Sequence, residues 1–158
     1  MKLTPGIIEF NGLELVGLQS HTSLSVNRIG ELWREFYSKL NLIQSSKPTE
    51  LHYIKTYPEM YFKQFDPQAE FEIAAAVRPD LIEAIPEDFK TITLPSGKYA
   101  VFNYKGSSKD PSVFRYIFTE WLPASGYKLA SRSHFDVLGE KYSNDSTDSE
   151  EEIWIPLE

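Results

Sequence analysis

The residues best suited to chemistry lie together near the end of the chain, in the string FDVLGEKY that begins at Phe135. In a regular strand successive side chains alternate between two faces, so Asp136, Glu140 and Tyr142 would share one face. Phe135 and Val137 would share the other. If that apolar pair packed against helices, the two carboxylates and the tyrosine would lie in a cleft. The other possibility is a solvated edge strand whose polar face meets water.

Aromatic residues outside the predicted helices could form the walls of such a cleft, and we expect Tyr53, Tyr104 and Trp154 to do so. An aromatic pocket with one or two carboxylates suits a cationic, flat or greasy ligand. The rings attract such a ligand through dispersion and cation–π contact, and the carboxylate supplies the counter-charge where water is scarce. Because burial raises the pKa of a carboxyl group, we expect the affinity to fall at acid pH.

The sequence indicates neither a metal site nor a cofactor. The three histidines, His21, His52 and His134, show neither HxH nor HExxH spacing, so each is predicted to be solvated or hydrogen-bonded. The absence of cysteine excludes disulfides, thiolate metal sites and a cysteine nucleophile. The tripeptide SGK that begins at Ser96 lacks the upstream glycine of a phosphate-binding loop and is more typical of a hairpin turn.

The charge pattern bears on the class of partner. The chain has 16 basic and 23 acidic residues, a formal net charge of −7, and its lysines and arginines are scattered singly. Direct binding to nucleic acid is therefore not expected, because the phosphate backbone would meet net repulsion. No apolar run reaches 18 residues, so a membrane partner is not expected either. We expect a soluble, cytoplasmic protein.

Two segments of the chain repeat the same apolar spacing 85 positions apart. Each has apolar side chains at i, i+3, i+4 and i+7, which predicts a helix with one buried face. The residues concerned are Ile29, Leu32, Trp33 and Phe36 in the first segment and Phe114, Ile117, Phe118 and Trp121 in the second. With 158 residues, the sequence predicts one domain, residues 1–158, built from two pseudo-repeats at about 10–80 and 88–158.

The predicted elements follow the order β-α-β-β twice, with an extra strand ahead of the second unit. Helices are predicted from Arg28 to Leu40 and from Asp110 to Pro123, where an aspartate cap and a proline in the first turn favour the start of the second helix. The predicted strands cover 13–18, 51–57, 71–77, 89–94, 98–104, 135–142 and 152–157. The acidic stretch 143–151 is predicted to be a mobile loop. We expect an α+β fold in which two helices cover one face of an antiparallel sheet and a ligand groove lies on the other.

Four strings resemble the GyrI-like small-molecule-binding domain, the effector-binding domain of AraC-type and MerR-type multidrug transcription regulators. They are EAIPEDFKTITLPSGKYAVF from Glu83, EWLPASGY from Glu120, FDVLGEKY from Phe135 and EIWIPL from Glu152. The resemblance covers about residues 10–158. It implies a duplicated β-α-β-β (SHS2) fold and a groove between the halves that takes bulky cationic or amphipathic compounds, with an acidic residue at its base.

The resemblance also points to individual residues. The family shows a Phe-Glu-x-Tyr pattern followed by a further glutamate and an aromatic residue. Here Asp136 replaces the first glutamate and Leu138 the tyrosine, whereas Glu140 and Tyr142 keep the later pattern. Since the aspartate reaches one methylene less far, the resemblance favours Glu140 as the counter-charge of the ligand.

Three functions are compatible with these features. The first is a stand-alone effector-binding domain that sequesters a lipophilic or cationic small molecule or reports it to a protein partner; a role in transcription would need that partner, because DNA-binding helices are not expected here. The second is a hydrolase of reactive small molecules that uses a groove glutamate, Glu140, as acid or base. The third is a protein-interaction module that inhibits an enzyme such as DNA gyrase through its acidic surface.

Overall fold

The computed structural model of the protein describes residues 2–144 and 146–158. Eight strands form one sheet, and two helices pack against it. The strands are β1 Gly6–Phe10, β2 Leu13–Thr22, β3 Leu51–Thr56, β4 Phe71–Val77, β5 Lys90–Leu94, β6 Gly97–Lys105, β7 His134–Leu138 and β8 Glu150–Leu157. Helix α1 is Ile29–Leu40, and helix α2 covers 112–125 as three consecutive segments, Ser112–Tyr116, Ile117–Trp121 and Leu122–Ser125, of which the middle one is π-helical.

The order of the strands in the sheet is β1-β6-β8-β7-β3-β4-β2-β5, and every neighbouring pair is antiparallel. In the first β-α-β-β unit the strands lie in the order β2, β4, β3 towards the centre of the sheet, and in the second unit they lie in the order β6, β8, β7. The two halves therefore meet where β3 pairs with β7. The predicted α+β fold, with two helices on a single antiparallel sheet, is confirmed.

The two halves exchange their outer strands. Strand β1 precedes the first unit in the chain but pairs with β6 of the second unit, and β5 precedes the second unit but pairs with β2 of the first. Of these two, the sequence predicted β5 and missed β1. The side chains of β1 are mostly exposed, so this strand has no buried face that a pattern of alternation would reveal.

The helices bury the faces that the apolar spacing predicts. Leu32, Phe36 and Leu40 of α1 are buried against the first half of the sheet, and Ile117 of α2 is buried against the second half. The expectation that Pro123 ends α2 is wrong. An α-helical segment begins again at Leu122 after the π-helical one, so the proline occupies a first-turn position, where a missing N–H is tolerated.

The face of the sheet opposite the helices is filled by the protein's own aromatic side chains. The ring of Trp154 lies 4.9 Å from that of Phe135 and 5.3 Å from that of Phe10. Tyr99, which is fully buried, joins the same cluster through edge contacts with Phe10 and Trp154. The helix-free face is thus occupied by a packed aromatic cluster.

The strand predicted from Phe135 is too long, and neither possibility for its two faces is found, because β7 lies inside the sheet and is not a solvated edge. Strand β7 ends at Leu138, and the next residues form a turn closed by a 3.1 Å hydrogen bond from the Tyr142 N–H to the carbonyl oxygen of Gly139. Phe135 does not face the helices but lies in the aromatic cluster on the opposite side of the sheet. Asp136 therefore points to the helix side, and a groove on the helix-free face would not contain it.

The acidic stretch 143–151 is only partly a loop. Its last two residues belong to β8, the side chain of Ser149 is buried, and the Ser149 hydroxyl accepts a 2.8 Å hydrogen bond from the Ser143 N–H. One residue of the stretch, Asp145, lies outside the described residues. None of the helices in the described parts of the chain has the length and apolar character needed to cross a membrane.

Candidate ligand-binding site

A cavity opens where the two central strands of the second half separate. Strands β7 and β8 pair over only three residues of each, ending at Val137 and Glu152. Beyond this point they diverge around the turn at Gly139 and leave a cavity of about 870 Å³. This volume lies within the range of roughly 300–1,000 Å³ that is usual for small-molecule sites. The wall includes Glu50, Arg78, Tyr104, Glu140, Glu151 and Glu152.

The lining of this cavity is acidic. It contains five glutamates against one arginine and two lysines. Two of the cations are already paired, because Arg78 lies 3.6 Å from Glu50 and Lys141 lies 3.8 Å from Glu150. The remaining glutamates outnumber the remaining lysine, so the wall of the cavity has a net negative charge.

A buried ion pair lies beside the cavity, on the helix side of the sheet. Lys55 of β3 and Asp136 of β7 are brought together because these two strands are hydrogen-bonded neighbours at the centre of the molecule. The Lys55 Nζ donates to both carboxylate oxygens of Asp136 at 3.3 and 3.5 Å, and the two side chains are only 9% and 7% exposed. The pair thus joins the two halves of the chain through charge as well as through the backbone.

Burial and pairing act in opposite directions on these two groups. Burial alone would lower the pKa of Lys55, but the attraction of Asp136, with smaller contributions from Tyr57 and Glu151, outweighs it, and the pKa of Lys55 is raised. Burial raises the pKa of Asp136, and the ammonium of Lys55 offsets part of this rise. Lys55 therefore keeps its proton although it is buried, because the carboxylate of Asp136 offsets the cost of burying the charge.

Aromatic rings enclose the ammonium group. The Nζ of Lys55 lies 4.6 Å from the centre of the Phe114 ring, which comes from α2, and 5.5 Å from that of Tyr53. The hydroxyl of Tyr53 is buried and has no hydrogen-bond partner among the described residues. Burial, together with the nearby Tyr57 and Asp136, strongly raises the pKa of Tyr53, so its hydroxyl stays a neutral donor.

Glu151 connects the buried ion pair with the cavity. It lies in the cavity wall and points to the same face of the sheet as Asp136, because Asp136 is paired with Ile153 two residues further along β8. Burial and the negative charge of Asp136 raise the pKa of Glu151 to about 7, and Lys55 partly opposes this shift. Glu151 therefore gains or loses a proton near neutral pH.

A histidine closes the other end of the buried cluster without taking a charge. The His134 ring lies 4.9 Å from that of Tyr57 and stacks on that of Phe62 at 5.6 Å. Burial, helped by the charge of Lys55, lowers the pKa of His134 to about 3. In the described parts of the chain no three histidine or acidic side chains come together in a way that could hold a metal ion.

Comparison with known proteins identifies the family. A family model of the GyrI-like small molecule binding domain matches residues 3–158. The chain belongs to this family. Transcriptional regulator BrlR of Pseudomonas aeruginosa is 24% identical to this GyrI-like chain over 153 residues, which make up 96% of this chain and 54% of BrlR. The chain thus spans about half the length of that curated relative.

Solved structures share the GyrI-like fold. SAV2435, solved bound to tetraphenylphosphonium, superposes with a TM-score of 0.67 at 17% identity, covering 100% of this chain and 94% of SAV2435. EcmrR, solved in a complex with DNA, superposes with a TM-score of 0.68 at 11% identity, covering 99% of this chain and 57% of EcmrR. At these identities the likeness shows a common fold.

Four of the residues predicted for the GyrI-like site lie at the ion pair or the cavity. Asp136 and Tyr53 belong to the buried cluster around Lys55. Tyr104 and Glu140 line the cavity. The ring of Tyr104 is buried and its hydroxyl donates a 2.9 Å hydrogen bond to the carbonyl oxygen of Ser107, whereas Glu140 is exposed on the turn after β7.

The other two predicted residues lie apart from them. Trp154 is on the helix-free face in the aromatic cluster, where its indole N–H donates a 3.0 Å hydrogen bond to Glu152. Tyr142 follows the turn and approaches α1, where it is the second cause, after burial, of the raised pKa of Tyr37. Neither residue is among those that line the cavity.

Sequence reasoning missed Lys55 and Glu151, which connect the two parts of the site. A signal existed for Lys55. It follows Leu51 and Tyr53 at a spacing of two residues in strand β3, so a regular strand places all three side chains on the same, largely apolar face. Such a lysine needs a buried partner. Glu151 gave no comparable signal, because it is the last residue of the acidic stretch 143–151, which is typical of a solvated loop.

Proposed function

We propose that this domain binds a bulky organic cation or amphipathic compound in the cavity between β7 and β8, with the Glu151 carboxylate facing its positive charge. The observation that carries the proposal is the position of Glu151, which lies in the wall of an 870 Å³ cavity and is coupled to the buried pair behind that wall. A partly buried carboxylate attracts a cation more strongly than an exposed one because water screens it less.

The chemistry of the cavity supports a cation in particular. Its acidic lining raises the local concentration of positive ligands. The buried ring of Tyr104 offers an apolar surface beside Glu151, to which it is paired across β6 and β8. SAV2435, which has the same fold, was solved with tetraphenylphosphonium, a bulky organic cation that combines charge with aromatic surface.

The proposed role is to hold the ligand unchanged, and so to sequester it or to report its presence to a protein partner. The name of BrlR supports a link to transcription, and the GyrI-like match supports small-molecule binding. This chain spans about half of BrlR, so a role in transcription is part of this proposal.

Isothermal titration with tetraphenylphosphonium at pH 8 tests the proposal. The wild type should bind the cation, and Glu151→Gln should weaken binding at least about tenfold, the effect of about 1.4 kcal/mol. Glu140→Gln is the matched control, since it makes the same change on the exposed rim of the same cavity and should weaken binding by less than about threefold. If Glu140→Gln removes most of the affinity instead, the rim carboxylate is the counter-charge and the assignment of Glu151 is wrong.

The pH dependence of this binding gives a second check. A cation prefers the ionised form of Glu151, whose pKa is about 7. The ionised fraction falls from about nine-tenths at pH 8 to about one-tenth at pH 6, so the affinity should fall about tenfold over this range. In Glu151→Gln the dependence should disappear. A protein-interaction module would show neither effect and would instead give salt-sensitive binding to a protein partner.

One observation favours a second candidate function, hydrolysis of the bound compound. A carboxyl group with a pKa of about 7 can serve as general acid or base near neutral pH, and Glu151 has that property. Mass analysis of each ligand after incubation separates the two functions. An unchanged mass supports a binding protein, whereas a product that forms with the wild type but not with Glu151→Gln would establish an enzyme.

A further inference from the structure

The surroundings of the Lys55 ammonium are those of a receptor for organic cations. A carboxylate lies 3.3 Å away, and two aromatic rings, from Phe114 and Tyr53, lie at 4.6 and 5.5 Å. Proteins recognise ammonium ligands with this combination of a negative charge and aromatic faces within about 6 Å. In this molecule one of its own lysines fills that place.

The lysine is not held as tightly as an ideal ion pair. Its two hydrogen bonds to Asp136, at 3.3 and 3.5 Å, are longer than the roughly 2.7–2.9 Å of strong charge-assisted hydrogen bonds. The adjacent Tyr53 hydroxyl is buried without a partner among the described residues. We call the buried space around the Lys55 ammonium, bounded by Asp136, Tyr53 and Phe114, the compartment. Lys55 leaves the Tyr53 hydroxyl in it without a hydrogen-bond partner, and a ligand atom would satisfy that hydroxyl.

This compartment is next to the cavity of the proposed function. Its Asp136 and the cavity-lining Glu151 point to the same face of paired strands, and the negative charge of Asp136 contributes to the raised pKa of Glu151. A charge in the compartment therefore changes the electrostatic potential in the cavity, and a charge in the cavity changes it in the compartment. A ligand bound at Glu151 would have the ammonium of Lys55 as its nearest buried positive charge.

We propose that Lys55 determines the ligand specificity of this site, because its ammonium occupies the place in which the positive group of an organic cation would bind against Asp136. The inference rests on the proposed function for the location of the ligand. Lys55 keeps the charged group of a ligand at Glu151 and weakens the binding of cations that need the deeper position. Replacing Lys55 by a neutral side chain of similar length removes the positive charge that repels a cation from that position.

The test uses two probes of the same shape and opposite charge, tetraphenylphosphonium and tetraphenylborate, titrated at pH 8. The measured quantity is the ratio of cation affinity to anion affinity. It should rise at least about tenfold in Lys55→Met relative to the wild type. Lys105→Met is the matched control, because it removes the same charge from the exposed part of the cavity wall. This control should change the ratio less than about threefold.

A second variant keeps the test decisive if Lys55→Met does not fold. Asp136→Asn removes the opposite charge, so the ratio should fall at least about tenfold. The double variant Lys55→Met/Asp136→Asn contains neither charge, and its ratio should return to within about threefold of the wild-type value. The inference is overturned if the single variants change the ratio no more than Lys105→Met does, or if no variant binds either probe.

The outcomes also separate this inference from the proposed function. If the wild type binds the cation and the ratio does not respond to Lys55→Met, the proposed function stands and the role of Lys55 is wrong. If the wild type binds neither probe but Lys55→Met binds the cation, the role of Lys55 stands and the native protein is not a receptor for such cations.

Discussion

At the residue scale, replacing one member of the buried pair of Lys55 and Asp136 should lower the unfolding free energy far more than replacing both members together. Lys55→Met leaves an unpaired buried carboxylate, and Asp136→Asn leaves an unpaired buried ammonium. We expect each single variant to lose about 3–5 kcal/mol of unfolding free energy. The double variant should lose much less than the sum, because it buries no unpaired charge. Urea denaturation of the four proteins at pH 7 measures this coupling.

An exposed pair serves as the comparison for that cycle. Lys39 and Asp88 lie within hydrogen-bonding distance, but Asp88 is 62% exposed and water competes for the charge. Lys39→Met should therefore lower the stability far less than Lys55→Met. Additive effects of the two Lys55 and Asp136 substitutions would show that the buried pair is not energetically coupled.

The raised pKa of Glu151 leads to a second expectation at the residue scale. The folded protein holds the Glu151 proton more tightly than the unfolded chain does, with a pKa of about 7 instead of 4.5. The stability that this proton provides is fully present below about pH 4.5 and is lost as the pH rises through 7. Glu151→Gln should therefore melt a few degrees above the wild type at pH 8 and at nearly the same temperature at pH 4.

Thermal melts of the wild type and the variant at several pH values measure this effect. Glu140→Gln is again the control, since it makes the same substitution at an exposed position of the same cavity. A Glu151→Gln variant that melts below the wild type at pH 8 would mean that the ionised carboxylate is stabilised by contacts stronger than its burial cost.

At the element scale, one glycine lets β2 bind two partner strands. Gly17 is paired with Ala76 of β4 and with Lys90 of β5, and a Cβ atom there would lie 1.9 Å from the carbonyl oxygen of Ala75. Since that neighbour is backbone, it cannot turn away. Gly17→Ala should therefore lower the unfolding free energy by about 3 kcal/mol or more.

A second glycine gives the matched control for the same substitution. A Cβ atom on Gly30 of helix α1 would lie 3.4 Å from the end of the flexible Arg34 side chain. Gly30→Ala should thus be neutral or stabilising by about 0.5–1 kcal/mol, because alanine restricts the unfolded chain more than glycine does. Equal effects of the two substitutions in urea denaturation would contradict the close approach at Gly17.

A helix or strand could be predicted from the sequence where the pattern that defines it lies within one segment of the chain. Both helices were found because the apolar stripe of each lies within one segment of the chain. The predicted start of α2 was one residue early: Pro111 is the N-cap, and the Asp110 carboxylate accepts a hydrogen bond from the Ser112 N–H. Strand β7 was extended too far because the alternation continues through Glu140 and Tyr142, although the chain turns at Gly139. Strand β1 was missed because its partner, not its own pattern, defines it.

The site was harder to predict because its partners are distant in the sequence. Asp136 and Tyr53 were named from their residue types, but Lys55 acquires its meaning only from Asp136, 81 residues later. Trp154 was assigned to the pocket because an aromatic residue on a strand does not reveal which face it occupies. The face is set by packing against the other half of the chain, in this case against Phe10 and Phe135.

At the scale of the whole molecule, the exchange of outer strands makes each half incomplete. A fragment of residues 1–84 contains β1 but not its partner β6, and a fragment of residues 85–158 contains β5 but not its partner β2. Each alone would expose a long strand edge, and the cut separates Phe10 from the three other rings of the aromatic cluster. We expect each fragment to lack stable tertiary structure and an equimolar mixture to regain it, as measured by near-UV circular dichroism.

The location of the cavity extends this argument to the ligand. Its wall combines Glu50 and Arg78 from the first half with Tyr104 and Glu151 from the second, so a bound molecule would contact both fragments. Tetraphenylphosphonium at about 100 times its dissociation constant should tighten fragment association about 100-fold, because it binds only the assembled pair. A fragment pair carrying Glu151→Gln should show a smaller gain at the same concentration. If the cation binds the intact protein but leaves fragment association unchanged, its site lies within one half and the junction between the halves is not the receptor.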